Sequence, residues 1–483
     1  MPFAMPTVPP EIQVAIAILA AVQVLLVVTA TAHALMWRRE PRAAALWIAI
    51  SLLVPLIGPL LYFVLGINRT ARLAKRKFQR RRATERRDAP DVSERASTVG
   101  DLEPLARLVD RIGVEPLVAG NRIEPLWDGE EAFPAMLEAI AGAKKSIALC
   151  SYIFDCDETG HQFADALAAA GARGAKVKLL VDAVGAGSSV SRLGRVLRKR
   201  RLQVRSFSPL GFSPARLLRF NLRNHRKILV VDGETAFSGG INISARHISG
   251  SSQPGRCRDV HFRIRGSVVA QVMRAFAEDW QFAAGEALEG DQWFPAPVPC
   301  GATMARGIGS GPDQDLERIY WTILGACSAA KKSIRIVTPY FIPEQGLKHA
   351  IMTAALEGIE VSLVLPEATD HRVVHWATCA YLWELIQAGV TVVRTPPPFD
   401  HSKLIIVDRR WALFGSANLD PRSLRLNFEY NLEAYDPALC ETLSTHYESL
   451  AEKGRKVTLK DVDGRSTIVR LRDGAAKLFS PYL

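Results

Sequence analysis

No two of the seven cysteines, Cys150, Cys156, Cys257, Cys300, Cys327, Cys379 and Cys440, are spaced C-x-x-C, and their number is odd. A zinc ribbon and a complete disulfide framework are thereby excluded. Reduced, mostly buried thiols are implied, and they favour a catalytic part that faces the cytosol. Low-complexity sequence is absent outside one basic segment, and 48% hydrophobic with 23% charged residues describes a folded chain. No Lys or Arg precedes the first apolar segment, so a cleaved signal peptide lacks its basic start. His371 and His375 stand four residues apart without the glutamate of H-E-x-x-H, which makes them wall residues of a pocket rather than zinc ligands. Residues 192–226 hold eleven Lys or Arg and no acidic residue.

What is present begins with hydrophobicity. Residues 12–36 are mainly apolar and uncharged, enough for a helix that spans a bilayer at about 1.5 Å per residue. A second apolar segment, 43–65, carries Pro55, Gly58 and Pro59, which predict a kink. Together they predict a transmembrane hairpin over 1–67. The first hundred residues hold 14 Lys+Arg against 6 Asp+Glu, a net +8 of the chain's +12. Ten of these cations, from Arg69 to Arg87, follow the second apolar segment, against Arg38, Arg39 and Arg42 in the turn. By the positive-inside rule the remainder of the chain lies in the cytoplasm. A basic juxtamembrane linker, 68–100, suits anionic headgroups better than nucleic acid. The stretch 192–226 reads either as a solvated helix or as a lip that recruits anionic lipid.

From about Asp101 onward, strands and helices alternate as in an α/β protein. Two stretches recur. Residues 225–242, HRKILVVDGETAFSGGIN, match 401–418, HSKLIIVDRRWALFGSAN, so that His225, Lys227, Asp232, Gly239 and Asn242 stand 176 residues before His401, Lys403, Asp408, Gly415 and Asn418. Residues 143–154 match 330–341 at an offset of 187. Two homologous halves are implied, over 101–300 and 301–483, each bringing one histidine to a shared cleft. Histidine and lysine two residues apart face the same side of an extended chain. The lysine supplies fixed positive charge for a phosphate, the asparagine adds donors, and glycine lets backbone approach closely. One histidine can attack phosphorus while the other protonates the departing oxygen, so one reaction needs both copies. Two lysines already supply positive charge, so neither metal nor cofactor is expected. His261 reads as either core or site.

These stretches resemble the H-x-K-x4-D-x6-G-S/G-x-N signatures of the phospholipase D superfamily, and nearly the whole chain is similar to bacterial cardiolipin synthases. The N-terminal Pro55, Gly58, Tyr62 and Gly66 carry the resemblance, as do NHRK, GGIN, RDVHFRIRG, TPYFIPE, RSLRLNFEYN and the terminal SPYL. It implies an α/β fold of two phospholipase D-like halves, mixed sheets flanked by helices, with one shared active site. It implies phosphatidyl transfer between two phosphatidylglycerol molecules in the bacterial inner membrane. The motif residues His225, Lys227, Asp232, His401, Lys403 and Asp408 would be the catalytic set, with Asn242, Asn418 and Ser416 on the phosphate. A carboxylate about thirty residues after each histidine would orient it, which points to Asp259 and Glu429. Asp232 and Asp408, at strand ends, read as mainly structural. Gly240 departs from the pattern where the second copy has Ser416. The alternatives are a phospholipase D or phosphodiesterase that uses water and, more remotely, a membrane-tethered nucleic-acid-binding protein; no nucleic-acid partner is expected.

Overall fold

The first apolar run folds as α1 (Pro10–Trp37), 28 residues and about 42 Å at helical rise. Among the described residues it is the one helix long and apolar enough to cross a membrane. The computed structural model describes residues 9–37, 41–63, 98–112, 115–183, 185, 190–207, 223–249, 255–312 and 315–480. The chain divides into two units, Met1–Leu73 and Ala74–Leu483. The juxtamembrane cations from Arg69 to Arg87, and 208–222 of the basic stretch, lie outside the described residues.

In the first unit the second apolar segment differs from the expected span. It is broken into α2 (Pro41–Leu53) and α3 (Ile57–Leu61). Pro55 cannot donate an N–H to the helical ladder, and Leu56 turns to a φ of 61°. The Leu56 N–H released by the break donates to Gln23 Oε1 on α1. Tyr62 and Trp47 bury themselves with Ala30 and Ala34 of α1, and the Tyr62 hydroxyl lies 2.7 Å from His33 Nδ1. Small residues at such a contact let helices approach, and the polar pairs hold them together where water is scarce.

The second unit repeats one strand pattern. Its strands are β1 (Val118–Trp127), β2 (Ser146–Ser151), β3 (Lys176–Asp182), β4 (Val204–Phe207), β5 (Arg223–Asn224), β6 (Ile228–Val231), β7 (Thr235–Gly239), β8 (Cys257–Arg258) and β9 (Val260–Arg265). Then follow β10 (Thr303–Ser310), β11 (Ser333–Val337), β12 (Glu360–Pro366), β13 (Thr391–Thr395), β14 (Phe399–Asp400), β15 (Leu404–Val407), β16 (Trp411–Gly415), β17 (Asn427–Tyr435) and β18 (Arg455–Val457). The order β1-β9-β7-β6-β2-β3-β4 is repeated by β10-β17-β16-β15-β11-β12-β13, and the antiparallel β1–β10 pair joins the two into one continuous sheet. The apolar runs of β6 and β15 are buried at every position, as strands covered on both faces must be. Phe262 of β9 stacks on Phe414 of β16 with centroids 3.9 Å apart, so the core is continuous across the repeat.

Two short strands break this separation of halves. β5, just before His225, adds in parallel to β17 of the second half, and the His225 N–H donates to Phe428 O at 2.9 Å. Reciprocally, β14, just before His401, adds to β8 of the first half, and the His401 N–H donates to Arg258 O at 2.7 Å. Each histidine is therefore delivered onto a strand of the other half.

The motif aspartates sit elsewhere. Asp232 takes a φ of 53° and its carboxylate accepts the backbone N–H groups of Lys144, Lys145 and Ser146 at 2.7–2.9 Å. Asp408, φ 53°, does the same for Lys331, Lys332 and Ser333 at 2.8–2.9 Å. Each lies five strand residues, about 16 Å, from its lysine. They pin the start of β2 and β11 and take no part in the chemistry, which corrects their inclusion in the catalytic set. Asp408→Ala leaves those N–H groups without their acceptor and should destabilise the protein by about 1–3 kcal/mol. Denaturation of the purified protein should show that loss, while activity per folded molecule changes little.

Candidate active site

His225 and His401 follow β5 and β14, and their side chains remain 12% and 13% exposed, enough to meet a ligand from the cleft. Behind each ring lies a fully buried carboxylate from the opposite half. His225 Nδ1 is 3.0 Å from Glu429, which lies on β17. His401 Nδ1 is 2.7 Å from Asp259 Oδ2, at the junction of β8 and β9. The pairing thus crosses: the carboxylate that follows a histidine in sequence serves the other histidine. The reason is the strand addition, which seats His225 beside β17 and His401 beside β8. Glu429, as an ionised carboxylate, accepts only, so His225 Nδ1 carries the proton and its Nε2 is left for a ligand, whereas His401 Nδ1 also lies 2.8 Å from Lys403 Nζ.

The carboxylates are held differently. Ser416 Oγ donates to Glu429 Oε2 at 2.5 Å and accepts the Tyr430 N–H at 3.0 Å. Asn427 Nδ2 donates to Glu429 Oε1 at 3.2 Å. The single hydroxyl proton of Ser416 is committed to Glu429, so Ser416 positions a carboxylate and is not a phosphate ligand as its motif place implied. In the first half a Cβ at Gly240 would run into both Asp259 carboxylate oxygens. Glycine at 240 is thus required by the placement of Asp259.

Lys227 Nζ donates to His225 O at 2.7 Å and stands 5.5 Å from the Tyr152 ring centre. Lys403 Nζ donates to His401 O and stands 3.9 Å from Asp259 Oδ2. Both ammonium groups are buried. Desolvation first, with Lys403 adding repulsion against the attraction of Glu429, lowers Lys227 to about 7. Burial lowers Lys403 as well, against the pull of Asp259 and Glu429. His401 is pushed well below its ordinary value by burial and then by Lys403, Lys227 and His225. His225 is lowered by burial, with Glu429 opposing the fall. Burial raises both carboxyls, but His225, Lys227 and the Ser416 hydroxyl overcome it for Glu429, which ends below the usual range; Asp259 ends above it. The site thus concentrates cationic groups in poorly solvated surroundings, where burial favours their neutral forms.

Asn242 accepts the Ile153 N–H at its Oδ1, 3.1 Å away, which leaves Nδ2 for a ligand. Asn418 is equally buried, and its Oδ1 has no hydrogen-bond partner among the described residues. Tyr152 sets its edge to His225 at 4.8 Å, and Tyr340 sets its edge to His401 at 6.3 Å, with Phe399 5.8 Å away. Tyr340 O–H donates to Asp370 beside His401, whereas Tyr152 beside His225 feels Asp182 as well as Arg422 and Arg223.

His261 resolves as a core residue: it lies on β9, 1% exposed, behind the motif glycine Gly239, and burial lowers it to about 3. His375 meets Arg394 at 3.3 Å and is lowered to about 4 by burial and that guanidinium; His371 lies 5.6 Å from Tyr340 on the rim. Sequence reasoning missed His247, whose Nε2 accepts the Asn242 N–H at 3.3 Å while Cys257 Sγ lies 3.4 Å from Nδ1. It also missed Arg226, which ties the halves by donating to Glu429 O at 3.1 Å and to Asp279 at 3.0 Å. Arg226 stands inside the NHRK phrase between two site residues, a place that marked it; His247 carried no such signal.

Comparison with known proteins agrees with this geometry. A family model described as "Cardiolipin synthase, PLD-like domain" matches residues 136–280 and 323–451, and one described as "Phospholipase_D-nuclease N-terminal" matches 15–66. The major cardiolipin synthase ClsA of Bacillus subtilis is 31% identical over 457 residues, covering 92% of this chain and 95% of that protein. The cardiolipin synthase of Geobacillus kaustophilus is 32% identical over 459 residues, covering 92% and 90%. Among solved structures, the phosphatidylserine synthase of Haemophilus influenzae Rd KW20 superposes with a TM-score of 0.62 at 18% identity, covering 78% of this chain and 100% of that one, a likeness of fold. Two matched repeats and relatives aligned along nearly their whole length make the chain a member of the cardiolipin synthase family within the phospholipase D superfamily.

Proposed function

We propose that the chain transfers a phosphatidyl group from one phosphatidylglycerol to a hydroxyl of a second, forming cardiolipin and releasing glycerol. The observation that carries this reading is the facing pair of half-sites, each a histidine backed by a buried carboxylate and flanked by a buried lysine. In the first step His225 Nε2 attacks phosphorus, the bond to the glycerol oxygen breaks, and His401 gives that oxygen a proton. In the second, His401 takes the proton of the incoming lipid hydroxyl, which attacks phosphorus and breaks the phosphorus–nitrogen bond. Lys227, Lys403, Asn242 and Asn418 hold the phosphate oxygens as charge builds on them. An N-phosphorylated imidazole is cationic and is best stabilised by an ionised carboxylate. Glu429, held below the usual carboxylate range, supports His225 as the nucleophile.

The membrane supplies substrate and acceptor. α1 would anchor the chain, and α2 with α3 would form a second leg, with the catalytic unit on the cytoplasmic side. The cations after the second apolar segment support that orientation. Water as acceptor gives a phospholipase D instead; the names of the relatives favour a lipid alcohol.

Purified protein in phosphatidylglycerol vesicles should yield cardiolipin and glycerol in equal amounts, and phosphatidic acid without cardiolipin would overturn the transfer reading. A phosphatidyl ester of p-nitrophenol, whose leaving group needs no proton, separates the two histidines. His401→Ala should still release nitrophenol and accumulate a phosphoenzyme, whereas His225→Ala should do neither. Glu429→Gln should then behave like the His225 variant, slower by about a hundredfold or more, and Asp259→Asn like the His401 variant. The opposite grouping would refute the crossed pairing.

Because burial lowers Lys227 to about 7, it binds a phosphate anion protonated below that pH and loses the charge above it. The value of kcat/KM for phosphatidylglycerol should fall as pH rises through about 7, while kcat falls only at higher pH, since bound anion raises the lysine. Lys227→Arg keeps its charge and should move that limb of kcat/KM upward. A limb unchanged in this variant would assign the titration elsewhere.

A further inference from the structure

The C-terminal helix Thr467–Leu478 is fastened to its unit by one face and bare on another. On the fastened face Asp473 is 1% exposed and receives Arg465 and Arg472, Ala476 is buried, and the Tyr381 hydroxyl donates to Ser480 Oγ at 3.1 Å. On the bare face Ile468, Leu471, Leu478 and Phe479 are 80%, 69%, 80% and 59% exposed. Their spacing, with Ala475, places them on one stripe of a helix. Arg470 and Lys477 stand on one flank of the stripe and Arg472 on the other, Lys477 paired with Glu384 at 3.6 Å and Arg472 with Asp473 at 2.7 Å. Four large apolar side chains left in water on one stripe call for an occupant.

The flanking charge selects that occupant. Pairing of two copies through this stripe would bring Arg470, Arg472 and Lys477 against the same cations, whereas an anionic lipid surface accepts the stripe among its acyl chains and the cations among its headgroups. The position in the fold agrees. The helix packs on Arg372–Cys379, whose Val373 is also exposed. That helix follows Asp370, which receives the Tyr340 hydroxyl beside His401. We propose that Thr467–Leu478 is an interfacial helix that lies in the headgroup region of an anionic bilayer and holds the His401 rim of the cleft at the lipid surface. The first test below is independent of the proposed reaction; the second rests on it.

The full chain with Cys300→Ser and Leu471→Cys, labelled with an environment-sensitive fluorophore, is placed in vesicles of phosphatidylglycerol and phosphatidylcholine. Emission should shift to the blue and be quenched by phosphatidylcholine brominated on its acyl chains, while the same label at Lys456→Cys should be unaffected. An unquenched label at 471, or efficient disulfide formation between two 471 cysteines, would overturn the proposal, the latter in favour of a second copy. In the full chain, Ile468→Glu with Leu471→Glu and Leu478→Glu should lower the rate on bilayer phosphatidylglycerol about tenfold or more. The rate on dihexanoyl phosphatidylglycerol dispersed as monomers should not change. An equal loss on both substrates, or none on either, would overturn the positioning role. A wild-type chain inactive on both lipids would instead count against the proposed reaction and leave the fluorescence result standing.

Discussion

The site depends on two reciprocal strand additions. Each is two residues long, yet each carries a backbone hydrogen bond from a motif histidine to a strand of the other half. Because the strands that receive them also carry Asp259 and Glu429, one geometric fact fixes two others: where the histidines stand and which carboxylate each receives. Neither half contains a complete histidine–carboxylate pair. A duplicated fold has in this way become a single catalytic unit, tied further by Arg226 and by the Phe262–Phe414 stack.

Around that frame the dominant energetic feature is burial of like charges. Two ammonium groups share a cleft with two imidazoles, and desolvation pushes all four toward their neutral forms. In the proposed reaction a phosphodiester between the lysines would favour the charged forms again. The two carboxylates are tuned apart by their second contacts. Ser416 and Asn427 donate to Glu429, whereas Asp259 is pressed against Gly240 and receives the Val260 N–H at 2.8 Å. Nearly twofold symmetry thus yields two chemically unequal half-sites.

Much of this was legible in the chain. The repeat of five residues at a fixed offset marked His225, Lys227, Asn242 and their counterparts, because a phosphate clamp needs those side chains at that spacing. The hydrophobic runs of β6 and β15 declared themselves as strands buried on both faces, and the uncharged run of α1 as a helix of membrane-spanning length. Asp232 and Asp408 read as mainly structural from their place at strand ends, and their carboxylates do hold backbone N–H groups far along the strand; their place in the catalytic set came only from motif position, which says that a residue is needed, not for what. Ser416 misled through its motif position, whereas Pro55 had marked the kink at which the second apolar segment is broken.

The sequence by itself determined the chemistry available, two imidazoles, two ammonium groups and two carboxylates in duplicate, and the alternation that makes the chain α/β, since both follow from residue type and local period. Tertiary structure alone decided which carboxylate meets which histidine, that glycine must occupy position 240, and that an apolar stripe on the C-terminal helix is left bare. Those outcomes depend on contacts between residues up to about two hundred positions apart, such as His225 and Glu429. Local pattern holds no information about them, because the free energy that fixes each belongs to packing between elements and not to the stretch in which the residue lies.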